Sequence, residues 1–303
     1  MIKRIRLAAL LFLMLALACG RTETAEAADT PAPAEPTETP AVDTVATPQS
    51  DTVAYSPPTP TPTPTLPPTP VPTLPPTPTP TPPPLAGITI GLDPGHQQNA
   101  DYGLEPIAPG SEKTKARCSS GTRGIVTRVY EYEVNLRVAL KLKALLEENG
   151  AKVVITRTTN SVNISNRERA ELLNLGEVDL AIRLHCNGTD DTSVRGAFML
   201  LPGRECTQFY NENVRAATAI IEQYCKTTGL SMRKRNGIAY SSEQTGFNWC
   251  ERPIVCIEMG HLSNESEDLL LTNDAFQDKM ADGIFKGILA YFNPDAAPEG
   301  GTP

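Results

Sequence analysis

The chain has 303 residues, a net charge of −8 and a mean hydropathy of −0.25. The acidic surplus is spread over both ends of the chain and no basic face stands out, which excludes a nucleic-acid footprint. Of 29 prolines, 21 fall between Arg21 and Pro84, so that stretch cannot form a packed core and only one α/β domain's worth of chain follows it.

The first residues carry Lys3, Arg4 and Arg6, followed by a wholly apolar run from Leu7 to Ala18. That run is too short to span a bilayer and reads as the core of an export signal. It ends in Leu15-Ala16-Leu17-Ala18-Cys19-Gly20, which resembles a bacterial lipoprotein signal in which Cys19 takes the lipid. Ala16 departs from the leucine usual three positions before that cysteine; ordinary cleavage near Ala25-Glu26-Ala27 is the alternative. Both readings put the protein outside the cytoplasm. The expected division is an export signal over 1–19, a disordered Pro/Thr-rich linker over 20–85, a catalytic domain over 86–293 and a disordered tail over 294–303. Thr-Pro and Pro-Pro repeats favour polyproline II, so Arg21 to Pro84 could reach roughly 200 Å. Its threonines are possible glycosylation sites, and the reach would let an anchored enzyme work within a thick wall.

The folded part is organised around Gly91-Leu92-Asp93-Pro94-Gly95-His96. Ile88-Thr89-Ile90 reads as a buried strand, Pro94 and Gly95 stop it, and His96 is presented at its carboxyl end. Ligands bind at that edge in open α/β sheets. Gln97 to Arg128 reads as a long loop inserted over the site, in the role of a lid, a partner-binding element or disorder. A helix runs from Glu131 to Asn149, a strand over Lys152–Thr156 and a second helix over Asn166–Leu173. Strands follow at Asp179–His185 and Ala197–Leu201, then a long helix at Thr207–Thr228. Gly229 to Arg252 reads as irregular. Pro253–Glu258 is a buried strand, and a last helix spans Asp274–Phe292. The alternation predicts an α/β fold, a mostly parallel sheet with helices on both faces.

His96, His185 and Glu258 then end three separate strands, and Glu131 starts a helix on the same edge. Two histidines and a carboxylate form a catalytic zinc set, and a second carboxylate can act as general base toward water. The chain has only three histidines, which makes two on one edge informative.

The pattern resembles the zinc-dependent N-acetylmuramoyl-L-alanine amidases of the amidase-3 family. Leu92-Asp93-Pro94-Gly95-His96, Glu131-Tyr132-Glu133-Val134-Asn135-Leu136, Arg183-Leu184-His185-Cys186-Asn187 and Ile257-Glu258-Met259-Gly260-His261-Leu262-Ser263-Asn264 carry the resemblance. Asn166-Arg167-Glu168-Arg169-Ala170 adds to it, and coverage runs from about Gly87 to Phe292. The resemblance implies Zn2+ held by His96, Glu131 and His185, with Glu258 as the catalytic carboxylate. Peptidoglycan would be the substrate, cut between the lactyl group of muramic acid and L-alanine of the stem peptide. Membrane contact would come only through the lipid anchor; oligomeric state is not legible. Glu131 rather than Glu133 is the ligand, because the family glutamate lies four residues before Asn135 and the two glutamates differ by about 200° around the helix. Glu133 reads as a solvated residue favoured by the helix dipole.

Cys186, adjacent to His185, should face the opposite side of the sheet. Arg183 shares His185's face, unless it lies on an exposed edge. Asn187 turns the chain, with a substrate hydrogen bond as the lesser option. His261 stands where the family carries Phe or Tyr and is expected to pack. Cys186 and Cys256 are expected as buried thiols; Cys118, Cys206, Cys225 and Cys250, in or near loops, are the better disulfide candidates in an exported domain. Two competing functions stay open: another metal-dependent wall peptidase, and a non-catalytic wall-binding lipoprotein. The second would be expected to have lost Glu258.

Overall fold

The computed structural model describes residues 82–234 and 236–294. The export signal, Cys19, the linker as far as residue 81 and the tail beyond 294 lie outside the described residues. In chain order come β1 (Thr89–Pro94), β2 (Asp101–Pro106), β3 (Thr114–Cys118), α1 (Glu131–Glu148) and β4 (Lys152–Ile155). Next are α2 (Asn166–Leu175), β5 (Leu180–Asn187), β6 (Phe198–Pro202), a 3-10 turn (Arg204–Cys206) and α3 (Tyr210–Thr228). The chain closes with β7 (Ile238–Ser241), α4 (Thr245–Asn248), β8 (Ile254–His261), α5 (Glu265–Leu271) and α6 (Asp274–Phe292).

Six strands form one sheet in the order β4-β1-β5-β8-β6-β7. All neighbours pair in parallel except β6 with β8. The mostly parallel α/β sheet expected from the sequence is therefore present, with β6 and β7 reversed. Strand alternation sorts the side chains. On β5, Leu180, Ile182, Leu184 and Cys186 enter the large core shared with α1, α3 and α6. Ala181 enters a smaller core on the opposite face, with Leu173 of α2, Phe247 of α4 and Cys256 of β8. The period of two places Arg183 and His185 on that second face. Leu85, at the end of the Pro/Thr stretch, is fully buried in the large core.

Two stretches expected to be irregular are structured. Gln97 to Arg128 contains the antiparallel β2–β3 hairpin. It is fastened to α2 by Glu105, whose carboxylate accepts the Arg167 amide (3.2 Å), and Trp249 donates to the Pro106 carbonyl (2.8 Å). Only Glu105 of β2 is buried, so the strand has no apolar alternation to announce it. Gly229 to Arg252 likewise holds β7 and α4. Helix α2 starts on a capping box in which Ser165 and Glu168 satisfy each other's backbone amides. The six described cysteines are all free thiols. Cys118 and Cys225, expected in or near loops, sit on β3 and in α3.

Candidate active site

The site lies on the carboxyl edge of β1, β5 and β8. After Pro94, the Gly95 amide donates to the Leu184 carbonyl (2.9 Å), and His96 follows with φ of 62°. A non-glycine residue rarely adopts that angle, and it persists only when its surroundings over-determine it. They do so here. Arg157 donates to the carbonyls of Pro94 (2.9 Å) and Gly95 (3.0 Å), Arg169 to those of Pro94 and His96 (both 3.0 Å), and Asn135 to that of Gly95 (3.2 Å). Gly95 itself has no alternative residue, because a Cβ there would overlap the His185 imidazole. His96 Nδ1 donates to the Ser119 carbonyl (3.0 Å), which turns Nε2 toward Glu131.

Glu131 is the first residue of α1, and its buried carboxylate is the hub. Oε1 lies 3.1 Å from His185 Nδ1 and 3.3 Å from His96 Nε2, and accepts the Cys186 amide (3.1 Å) and Asn135 Nδ2 (3.3 Å). Oε2 accepts the Thr122 amide (2.9 Å). Burial alone would raise this carboxyl, but the two imidazoles and their hydrogen bonds hold it below the usual carboxylate range. Burial lowers His185 to about 4 against the pull of Glu131, so the ring is neutral near pH 7. Neutral imidazole is the form that binds metals.

One donor atom from each of His96, Glu131 and His185 lies within 4.8 Å of the others. Nε2 of His185 is buried without a hydrogen-bond partner among the described residues. A buried polar atom left unpaired signals a missing ligand or ion. Two imidazoles and an ionised carboxylate match the donor set of a catalytic zinc site, so the residues fit the metal the resemblance implies.

Glu258 stands opposite His185 in the β5–β8 register and lines the same cavity of about 310 Å³. Burial, with Glu131 adding repulsion, pushes its carboxyl up to about 8, and Oε2 has no hydrogen-bond partner among the described residues. The four residues singled out in the sequence thus meet at one cavity. Glu133 points away and pairs with Arg137 at 3.1 Å. Cys186 is buried on the opposite face, in the large core. His261 is fully buried beside Phe198 and Glu267 and does not line the cavity. Asn187 lines the rim, its side chain accepting the Gly188 amide (2.8 Å). Arg183 is not on an exposed edge: it is buried on a central strand and lines the cavity. Sequence reasoning missed Asp93, Arg157, Arg169 and Asn135 as the scaffold of the site. Three of them sat inside the quoted segments, but nothing marked them as partners of one another.

A sheet with an imidazole and carboxylate cluster at its carboxyl edge, faced by a buried glutamate, fits the class of metal-dependent hydrolases. The family model for N-acetylmuramoyl-L-alanine amidase (amidase-3) matches residues 90–290, and the chain belongs to this family of amidases. The germination-specific N-acetylmuramoyl-L-alanine amidase of Bacillus subtilis is 30% identical over 187 residues, 56% of this chain and 74% of the relative. N-acetylmuramoyl-L-alanine amidase Rv3717 of Mycobacterium tuberculosis is 22% identical over 223 residues, 68% of this chain and 87% of the relative. The crystal structure of the amidase Ami1 from Mycobacterium smegmatis shares the fold, with a TM-score of 0.64 at 23% identity over 69% of this chain and 99% of that one.

Proposed function

We propose that the chain is a zinc-dependent peptidoglycan hydrolase that cleaves the amide between the lactyl group of N-acetylmuramic acid and L-alanine, with Glu258 as general base. The observation that carries this reading is the convergence of His96, Glu131 and His185 on one point, with Glu258 across the same cavity. His96 and His185 would hold the ion as neutral imidazoles, each oriented by a second contact, and Glu131 would supply the one negative charge. When bound, zinc supplies Lewis acidity toward the scissile carbonyl and toward the attacking water. Glu258 would take the proton from that water on a carboxylate oxygen and hand it to the departing alanine nitrogen. Amines leave poorly unless protonated, so the same group serves as base and then acid. Burial strengthens Glu258 as a base relative to an exposed glutamate.

The names of the amidase relatives support a wall-acting, exported enzyme. Within that reading, residues 1–19 are the export signal, Cys19 the lipid anchor, 20–85 a spacer, 86–293 the catalytic domain and 294–303 a tail. The test is digestion of purified peptidoglycan by the full chain with zinc, with chelator, and as Glu258→Ala. The expected products are intact stem peptides with new L-alanine amino termini, with the rate falling about 10²–10⁴-fold in Glu258→Ala. Cleavage inside the peptide would replace this reading with a wall peptidase. Absence of cleavage by a folded, zinc-loaded chain would leave the wall-binding reading.

A further inference from the structure

The three arginines beneath the site differ in how completely their donors are used. Arg157 bonds the carbonyls of Pro94, Gly95, Tyr132 and Thr159 and the Asn160 side chain. Arg169 bonds Asp93, Gln97 and the carbonyls of Ile164, Pro94 and His96. Both are saturated. Arg183 makes two bonds, Nε to Asp93 (2.9 Å) and Nη2 to Asn166 (3.0 Å), and its Nη1 has no partner among the described residues. Of the three, only Arg183 lines the catalytic cavity.

Its guanidinium is held in place. A Cβ at Gly246 would lie 2.8 Å from Cζ and from Nη1, so only glycine lets α4 approach this closely. The Phe247 ring centre lies 5.9 Å from Cζ. Asp93 is shared between Arg169 and Arg183, Arg157 adds a third cation nearby, and Glu258 is a further carboxylate of the cavity within the field of Arg183. A rigid, buried cation with free donors facing a cavity is arranged to receive an anion.

Position selects which anion. Arg183 lies two residues before His185 on the same face of β5, about 6.6 Å along the strand. Two residues of extended peptide span at most about 7 Å. A stem peptide that runs from the scissile amide along this face of β5 would bring a free carboxylate on its second residue within reach of Arg183, which lines the same cavity. We propose that Arg183 is a specificity residue that anchors a carboxylate carried by the stem residue immediately after L-alanine. This rests on the amidase reading above. No bond is made or broken in the step; a charge-assisted hydrogen bond forms from Nη1.

The test compares two soluble muramoyl peptides, identical except that the carboxyl of the second residue is free in one and amidated in the other. With the full, zinc-loaded chain, kcat/KM should favour the free acid by about tenfold or more. Arg183→Gln should erase that preference by losing rate on the acid alone, and Arg183→Lys, which keeps the charge, should restore part of it. Equal kcat/KM for both peptides in the unaltered chain overturns the inference and leaves the amidase reading intact. An equal loss on both peptides in a folded Arg183→Gln also overturns it, since a merely structural arginine would behave so. Calorimetry with the two released peptides, acid and amide, on unaltered protein reads the same preference without turnover. If neither muramoyl peptide is cut, the amidase reading fails, and the calorimetric ratio still decides the role of Arg183.

Discussion

Two buried charged clusters sit side by side on β1 and β5, and they are built to opposite rules. In the first, Asp93 takes Arg169 on one oxygen and Arg183 on the other, both at 2.9 Å, and Thr156 adds a bond at 2.8 Å. Its carboxyl is held far below the usual range; burial opposes this, but the two arginines prevail. In the second, just past β1 and two residues further along β5, His96 and His185 flank Glu131, while His185 Nε2 and Glu258 Oε2 have no partner among the described residues. The first cluster is closed around its carboxylate and holds the chain, with Arg183 Nη1 left over on its cavity side. The second is open, and its unpaired atoms leave it free to take up a further group.

Closing and opening these clusters should have different signatures. The largest effect on folding is expected from Asp93→Asn, which leaves two buried guanidiniums facing a neutral amide. Breaking a buried pair in this way costs about 3–5 kcal/mol. For a domain of this size that lowers Tm by on the order of 10 °C, measured by calorimetry of the full chain. A change within 2 °C, about the width of a surface substitution, would show that the Asp93 cluster is dispensable for stability and would break the contrast. Activity should fall as well, since Arg169 also holds the His96 carbonyl.

How much of this was legible follows from the same contrast. The open cluster was readable because its members follow local apolar runs or start a helix, although His96 lies just past β1 and the strands of His185 and Glu258 run on to Asn187 and His261 instead of ending there. β5 shows this plainly: Leu180, Ile182 and Leu184 announce the strand, and His185 is the first polar residue after that run, two residues before the strand's end at Asn187. The closed cluster was not readable as a cluster. Asp93 and Arg169 are 76 residues apart, and a polar residue on a strand or helix looks solvated until its partner is placed. Arg183 carried both readings for that reason. The hairpin was hidden by the absence of a core-facing stripe on β2, and the left-handed turn at His96 by the fact that histidine gives no signal for positive φ. The four site residues needed only one-dimensional periodicity; the scaffold that aims them needed three dimensions.

A smaller effect, confined to the open cluster, is expected from Asn135→Ala. Asn135 donates to both Glu131 Oε1 and the Gly95 carbonyl, and so ties α1 to the His96 turn. Loss of such an orienting partner weakens metal binding by about 10–100-fold. Competition against a chelator of known affinity measures it. Tm of the metal-free chain should change far less than in Asp93→Asn. If the order of the two effects on Tm is reversed, the division between holding and binding clusters is wrong.

The smallest effect is a pH slope, and it separates Asp93 from Glu258 by sign. Asp93 has a depressed carboxyl, so its contribution is present at neutral pH and is lost only as strong acid protonates it. Glu258 is the reverse. Its folded-state carboxyl titrates at about 8 against 4.5 unfolded, so folded protein binds the extra proton between those values. Its stabilising contribution is therefore full below about pH 4.5 and is lost as pH rises through 8. His185, lowered to about 4 from 6.5, opposes this only below about pH 6.5, where the unfolded chain takes up the proton first. Between pH 6.5 and 8 the Glu258 term stands alone of the two. Metal-free protein should lose stability across that window in urea titrations, and Glu258→Gln should flatten the loss while leaving the acid limb set by Asp93 and Glu131 in place. A slope that survives in Glu258→Gln would mean that the buried carboxyl is not the group that titrates. Zinc should also flatten it, because a cation beside Glu258 favours the ionised form in the folded state and brings its titration back toward the unfolded value.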